Sequence, residues 1–232
     1  MSVVKLRLEF DLNDNFFFDK EYKQVLSEYY YNIIGNGFFV FSDIIPKKKK
    51  NSNDGFWAIE KAAFDFSTVS TEKLLNVAMN AMKTPIQFKY GSLKIKKVRF
   101  LKVKLENKAY TLSPIIVFKN GNPLLYEESP EYFSEVLREI LIFKYKDLFG
   151  GYPHDDRFVF YFKSKPLKEE INGFPVYKGC FEMIGSEDLI GLSYNTGLGS
   201  FNELGFGMIS SDLYFWKKST DIELRNNNGN SS

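Results

Sequence analysis

The sequence predicts an α+β chain, because the order β-α-β-β-α-β can be read along it twice. Three observations carry this. Val4, Leu6, Leu8 and Phe10 alternate with Lys5, Arg7, Glu9 and Asp11, the pattern of a half-buried strand. Leu74, Leu75, Ala78, Met79 and Met82 fall at helical spacing, as do Phe133, Val136, Leu137, Ile140 and Leu141. Phe158, Phe160 and Phe162 alternate again as a strand.

In the first half, Asp19 is the expected N-cap of a helix running to about Ile34, broken by Gly35-Asn36-Gly37. Phe38 to Ile45 reads as a strand and Phe56 to Phe66 as its return, with Lys47 to Gly55 as a polar hairpin loop between them. Ser70 or Thr71 caps the second helix and Pro85 ends it. Between Leu93 and Leu105 the apolar residues change parity, so a bulge or bend is expected near Lys96-Lys97.

The second half repeats the order. Tyr110 to Phe118 reads as a strand placed at an edge by Pro114. Ser129-Pro130 opens a helix and Gly150-Gly151 ends that segment. Val176 to Met183 is the partner of the Phe158 strand, Ser186-Glu187-Asp188 starts a short helix, and Gly205 to Leu213 is the closing strand. The expectation is therefore two tandem ferredoxin-like (RRM-like) domains, 1–106 and 107–218, followed by a polar, disordered tail at 219–232.

The composition is that of an ordinary globular protein, 44% apolar and 26% charged. A net charge of +2 does not announce a nucleic-acid binder, so that claim must rest on local clusters. Cys180 and His154 are the only residues of their kinds, which leaves no intrachain disulfide, no cysteine-pair zinc site and no histidine cluster; no metal or cofactor is expected. His154 lies in a polar turn and reads as a surface residue. The N-terminus lacks the apolar core of a signal peptide and no apolar run is long enough to span a membrane, so the cytoplasm is the expected compartment.

The most informative stretch runs from Gly197 to Met208, with glycines at 197, 199, 205 and 207. Without side chains, backbone N–H groups can approach phosphates closely. A dinucleotide fingerprint fits poorly, since the third glycine, the leading strand and the following helix are absent, and no Gly-Lys-Ser/Thr marks a Walker loop. A glycine-rich hairpin before a closing strand explains the same residues.

Gly197-x-Gly199 followed by Gly205-Phe206-Gly207 resembles the glycine-rich loop of the CRISPR-associated repeat-processing endoribonucleases of the RAMP superfamily. Phe39-Val40-Phe41-Ser42, Leu112-Ser113-Pro114-Ile115, the Lys144-Tyr145 helix end and Gly185-Ser186 with Leu189 resemble further motifs of that family, in order and over nearly the whole chain. The resemblance implies tandem ferredoxin-like domains, binding of CRISPR repeat RNA, and metal-independent scission of precursor RNA into guide RNAs, in which a 2′-hydroxyl attacks its own phosphate and leaves a 2′,3′-cyclic phosphate. It leaves open a catalytically degenerate subunit that only binds repeat RNA, an effector complex as partner, and a homodimer.

The chain departs from the family pattern in two places. No Lys follows Gly199, and the turn Gly35-Asn36-Gly37 holds neither the His nor the Lys that family members place there. Tyr31 occupies the helix turn where the family has a Tyr, and the resemblance makes it the candidate catalytic residue. The candidate RNA-binding residues are Gly197, Gly199, Ser200, Asn202, Gly205 and Gly207 of the loop, the hairpin lysines Lys47, Lys48, Lys49 and Lys50, and Lys94, Lys96, Lys97 and Arg99.

Overall fold

The computed structural model describes residues 2–12, 14–212 and 222–225. The first half contains β1 (Ser2–Asp11), β2 (Phe16–Asp19), α1 (Tyr22–Ile34), β3 (Phe39–Phe41), β4 (Ile45–Ser52), β5 (Gly55–Thr68), α2 (Thr71–Ala81), β6 (Ile86–Phe88), β7 (Gly91–Leu93) and β8 (Ile95–Lys104). Its sheet runs β8-β1-β5-β3, all antiparallel, the strand order of a ferredoxin-like unit. The long β5 carries two further strands at its far end, β2 in line with β1 and β4 in line with β3.

Alternation decides what each face does. Leu6, Leu8 and Phe10 join Phe64, Phe66, Ile95 and Val98 under α1 and α2, with Tyr30 fully buried among the phenylalanines. Lys5, Arg7 and Glu9 point to the opposite face, where Arg7 forks onto Asp65 (2.8 and 3.0 Å) and Glu9 meets Arg99. The expected bulge in β8 is present: Glu9 opposes Lys97 and Phe10 opposes Ile95, so Lys96 is the extra residue.

The second half contains β9 (Lys108–Thr111), β10 (Phe118–Lys119), β11 (Asn122–Pro123), α3 (Pro130–Phe149), β12 (Phe158–Phe162), β13 (Leu167–Ile171), β14 (Phe174–Lys178), β15 (Cys180–Gly185), α4 (Glu187–Thr196) and β16 (Ile209–Ser210). Its sheet order, β12-β15-β9-β16, is again ferredoxin-like. Ser129 and Ser186 cap α3 and α4, as Ser70 caps α2. A second core forms around Phe133, Leu137, Phe160, Tyr177 and Phe181. α4 packs back on β1, β3 and β5, covering part of the first sheet's polar face. Lys5 is buried there; its Nζ donates to the Ile209 carbonyl and lies 5.4 Å from the centre of the Tyr194 ring.

Several expectations need correction. Of the strand expected at Val176 to Met183, Val176–Lys178 belongs to the β13–β14 hairpin, and Cys180–Gly185 is the partner of β12. Phe16–Asp19 is a strand, and α1 begins after Glu21, whose N–H is held by the Asp19 carboxylate at 3.1 Å. The residues after Pro46 are not a loop: Lys47, Lys48, Lys49 and Lys50 lie within β4, and the turn is Asn53-Asp54. The strand expected at 110–118 ends at Thr111, sits between β15 and β16 rather than at an edge, and leaves Pro114 in the following loop. Among the described residues the closing strand is only Ile209–Ser210, because Gly205 and Gly207 are in left-handed backbone that a strand cannot continue through; Leu213, its expected end, lies outside the described residues. Of the expected tail, Ile222–Arg225 forms β17, antiparallel to β8; its other residues lie outside the described ones.

Candidate nucleic-acid interface

The glycine-rich segment follows α4 and lies where the two halves meet. Gly197 ends the helix with φ 81°, and Gly199, Gly205 and Gly207 also have positive φ. A Cβ on Gly207 would stand 1.9 Å from the Leu198 carbonyl oxygen, one on Gly199 2.3 Å from that of Ile116, and one on Gly205 2.4 Å from the Phe41 ring. The close approach these glycines permit is therefore to the protein itself. Backbone donors of the segment are also used internally: the N–H groups of Leu198, Ser200, Gly205 and Gly207 donate to the carbonyls of Gly207, Ile116, Asn202 and Pro114 at 2.8–2.9 Å. A phosphate nest made from these particular N–H groups, as the sequence suggests, does not match the geometry.

Asn202 opens a single 3-10 turn, Asn202–Leu204, and is buried. Its Nδ2 donates to the Leu198 and Phe206 carbonyls at 3.1 and 2.9 Å. Its Oδ1 accepts from Lys144 Nζ at 2.5 Å. Ser200 holds the loop to the second half, its Oγ accepting from the Phe118 N–H at 3.1 Å.

The 3-10 turn packs on α1, which brings the loop beside Tyr31. Neighbouring helix residues differ by about 100°, and the three tyrosines divide accordingly: Tyr30 is fully buried, Tyr29 nearly so, and Tyr31 is 37% exposed. The Tyr31 ring lies 5.4 Å from that of Phe39, edge to face. Partial burial and the Glu203 carboxylate both raise its pKa, so the phenol stays protonated at neutral pH.

A charged cluster seals the same seam, and no residue spacing announces it because its members come from distant segments. Lys23 Nζ donates to the Gly205 carbonyl at 2.7 Å, pairs with Asp43 at 2.6 Å, and lies 4.7 Å from the centre of the Phe206 ring. Tyr22 Oη and Lys178 Nζ also reach Asp43, at 3.3 Å each, and Lys178 reaches Glu169 at 3.0 Å. Burial would raise the Asp43 pKa, but Lys23 and Lys178 outweigh it and hold the carboxyl below its ordinary range. Lys73 is a further cation sequence reading missed: its Nζ donates to the Asn36 carbonyl in the turn between α1 and β3.

The lysine groups do not converge on the loop. Lys47 and Lys48 both pair with Glu60, which sits at φ 69° where β4 and β5 slip register. Lys49 lies 4.6 Å from the centre of the Phe56 ring, and Lys50 is exposed. Lys94 and Lys96 are exposed, whereas Lys97 and Arg99 lie on the polar sheet face, Arg99 bound to Glu9 at 3.0 Å. β8 is separated from β3 by β1 and β5, roughly 14 Å across the sheet. His154 is exposed in the turn before Asp155. Among the described residues, no three His, Cys, Asp or Glu side chains are grouped to hold a metal, and no helix is long and apolar enough to cross a membrane.

Comparison with known proteins agrees with this architecture. The family model for CRISPR associated protein Cas6, C-terminal, matches residues 95–211. The endoribonuclease-like protein Cas6nc of Pyrococcus horikoshii is 31% identical over 75% of this chain and 79% of its own. The CRISPR-associated endoribonuclease Cas6 of Pyrococcus furiosus is 26% identical over 79% of this chain and 74% of its own. A solved RAMP protein described as binding different RNA substrates superposes with a TM-score of 0.73 at 25% identity, covering 90% of this chain and 99% of the other. With both sheets in ferredoxin-like order and these relatives spanning most of its length, the chain belongs to the Cas6 family of CRISPR-associated proteins.

Proposed function

We propose that this chain binds CRISPR repeat RNA along the seam between the glycine-rich segment and α1, and cleaves it without a metal ion. The observation that carries this reading is the packing of the Asn202–Leu204 turn on α1, which sets the protonated phenol of Tyr31 beside the loop. In the reaction, the 2′-oxygen bonds to the adjacent phosphorus as the bond to the 5′-oxygen breaks. The 2′-proton is lost to solvent and the departing 5′-oxygen takes the phenol's proton. The products are a 2′,3′-cyclic phosphate and a 5′-hydroxyl. Holding the attacking and leaving oxygens in line is the larger contribution, since ordering alone can supply many powers of ten. Proton transfer adds typically about 10²–10⁴-fold.

A second reading, a repeat-RNA-holding subunit that does not cut, is favoured by one observation. The charged group that perturbs Tyr31 is the Glu203 carboxylate, which opposes negative charge building on a phosphorane. Incubating the protein with end-labelled repeat RNA in EDTA separates the two. Cleavage with a cyclic phosphate end supports the first, and tight binding with intact RNA supports the second. Failure to bind repeat RNA would remove both.

A further inference from the structure

We propose that Phe118, Phe174 and Phe201 form a platform on which unpaired RNA bases stack, at the outer rim of the glycine-rich segment. The proposal rests on the reading of this chain as an RNA binder and says which part of the RNA the rim takes. The three rings come from separate segments: β10, the tip of the β13–β14 hairpin, and the loop. Phe118 is the centre, with ring centres 5.2 Å from Phe174 and 5.1 Å from Phe201 and interplanar angles of 71° and 75°. Phe174 and Phe201 are 41% and 40% exposed, and edge-to-face contact with Phe118 leaves part of their faces open.

Phe201 is the informative member. At φ 57° and ψ 38° it sits in left-handed backbone, the one non-glycine residue of the 197–207 segment to do so. Glycine, used at 197, 199, 205 and 207, would hold that conformation without the Cβ clash. Neither backbone need nor core burial accounts for a phenyl ring there. A strained residue held at a loop tip points to a use for its side chain.

The platform is also fixed in place. The Ser200 N–H donates to the Ile116 carbonyl at 2.8 Å while its Oγ accepts from the Phe118 N–H, so the loop is tied at two points to β10 and the segment leading into it. Between Gly197 and Gly207 there is no Lys or Arg, only Glu203. The loop therefore offers aromatic surface rather than positive charge. That chemistry suits the flat face of a base, whatever its identity, better than a phosphate.

The test uses single-stranded repeat RNA carrying 2-aminopurine at successive positions, with the parent and the double variant Phe174→Ala/Phe201→Gly. In the parent, fluorescence should be quenched at one or two positions. In the variant it should recover there, with affinity reduced roughly five- to a hundredfold and an unchanged salt slope, because no phosphate contact is lost. Phe201→Gly relieves strain and should leave the thermal midpoint unchanged or raised. Phe174→Trp should retain both quenching and affinity. Phe143→Ala, at an exposed phenylalanine on α3, should have no effect. Equal affinity and quenching in parent and double variant would overturn the proposal. A loss of affinity with a shallower salt slope would overturn it in favour of phosphate binding. A parent that binds no repeat RNA would sink the RNA-binding reading itself, and the platform with it.

Discussion

Lys144 Nζ, near the end of α3, donates to Asn202 Oδ1 at 2.5 Å and to the Gly197 carbonyl at 2.9 Å. One buried ammonium thus joins the C-terminal end of α4, whose last carbonyls lack helical partners, to the turn that faces Tyr31. Burial pushes its pKa down to about 7, against a smaller upward pull from Glu203. Lys144→Met should strand buried acceptors and destabilise the protein by about 1–3 kcal/mol near pH 8. Amide exchange in the 197–207 segment should rise. Unchanged exchange and an unchanged midpoint would show that the loop is held without Lys144.

The same residue gives a pH signature. Its folded pKa lies below its unfolded one, so between about 7 and 10.5 the unfolded chain binds more protons. The group's contribution to stability therefore rises with pH across that window, and below about 7 its burial cost is fully felt. The deficit of Lys144→Met relative to the parent should be smallest near pH 6 and grow towards pH 9. Denaturant unfolding across that range checks the sign. Lys5, lowered to about 8 by burial, is unchanged in both proteins and drops out of the difference.

Gly207→Ala should be far worse than Gly150→Ala, although both glycines have positive φ. A Cβ at 150 meets nothing within 4 Å, leaving the conformational cost alone, about 1–2 kcal/mol. At 207 the added atom overlaps the Leu198 carbonyl, whose partner backbone bond crosses the loop. Expected destabilisation there is about 3 kcal/mol or more. Thermal unfolding of the two variants would show equal shifts if the loop can rearrange freely.

Periodicity made the helices, their serine caps and the Lys96 bulge legible, because each depends on residues within one or two turns. It placed Lys47 to Lys50 in a loop because four consecutive lysines carry no alternation. In the fold they extend a strand whose exposed face β5 supports. The resemblance pointed to Tyr31 and the glycine loop as candidates, and in the fold the loop's 3-10 turn packs on the helix that carries Tyr31. What the loop glycines do was not legible: glycine permits close approach but does not say to what, and here the approaching atoms are Ile116 O, Leu198 O and the Phe41 ring. The Lys23–Asp43–Lys178 seam was invisible for the same reason, being made only when three distant segments meet.

Glu60 already neutralises two of the β4 lysines, Lys47 and Lys48. Those pairs hold its carboxyl at about 2, so it stays charged through any working pH. If β4 contacts RNA, Glu60→Gln should free both ammonium groups and tighten binding. The log–log salt slope should steepen by up to about 1.4, two single-strand phosphate contacts. Neutralising Lys49 and Lys50 in the parent should flatten the slope instead. No change in slope in either direction would place the RNA away from β4.

Tyr31 and Glu203 make opposite predictions for cleavage. A phenol held above its ordinary pKa can donate a proton at neutral pH but cannot act as base there. Tyr31→Phe should slow cleavage by roughly 10²–10⁴-fold while leaving RNA affinity within about twofold, since one exposed hydroxyl contributes little to binding. Glu203→Gln removes a negative charge from the same spot. It should lower the Tyr31 pKa, ease charge build-up on the phosphorane, and speed cleavage. The pH profile distinguishes these effects from misfolding. With Tyr31 as acid, the rate holds through neutral pH and falls once the phenol ionises, and in Glu203→Gln that fall begins at lower pH. A repeat with 2′-deoxyribose at the cut site should remain whole with every variant. Full activity in Tyr31→Phe would remove that residue from the chemistry. Cleavage of the deoxy substrate would remove the 2′-hydroxyl mechanism, and intact RNA with the parent and Glu203→Gln alike would leave a protein that holds repeat RNA without cutting it.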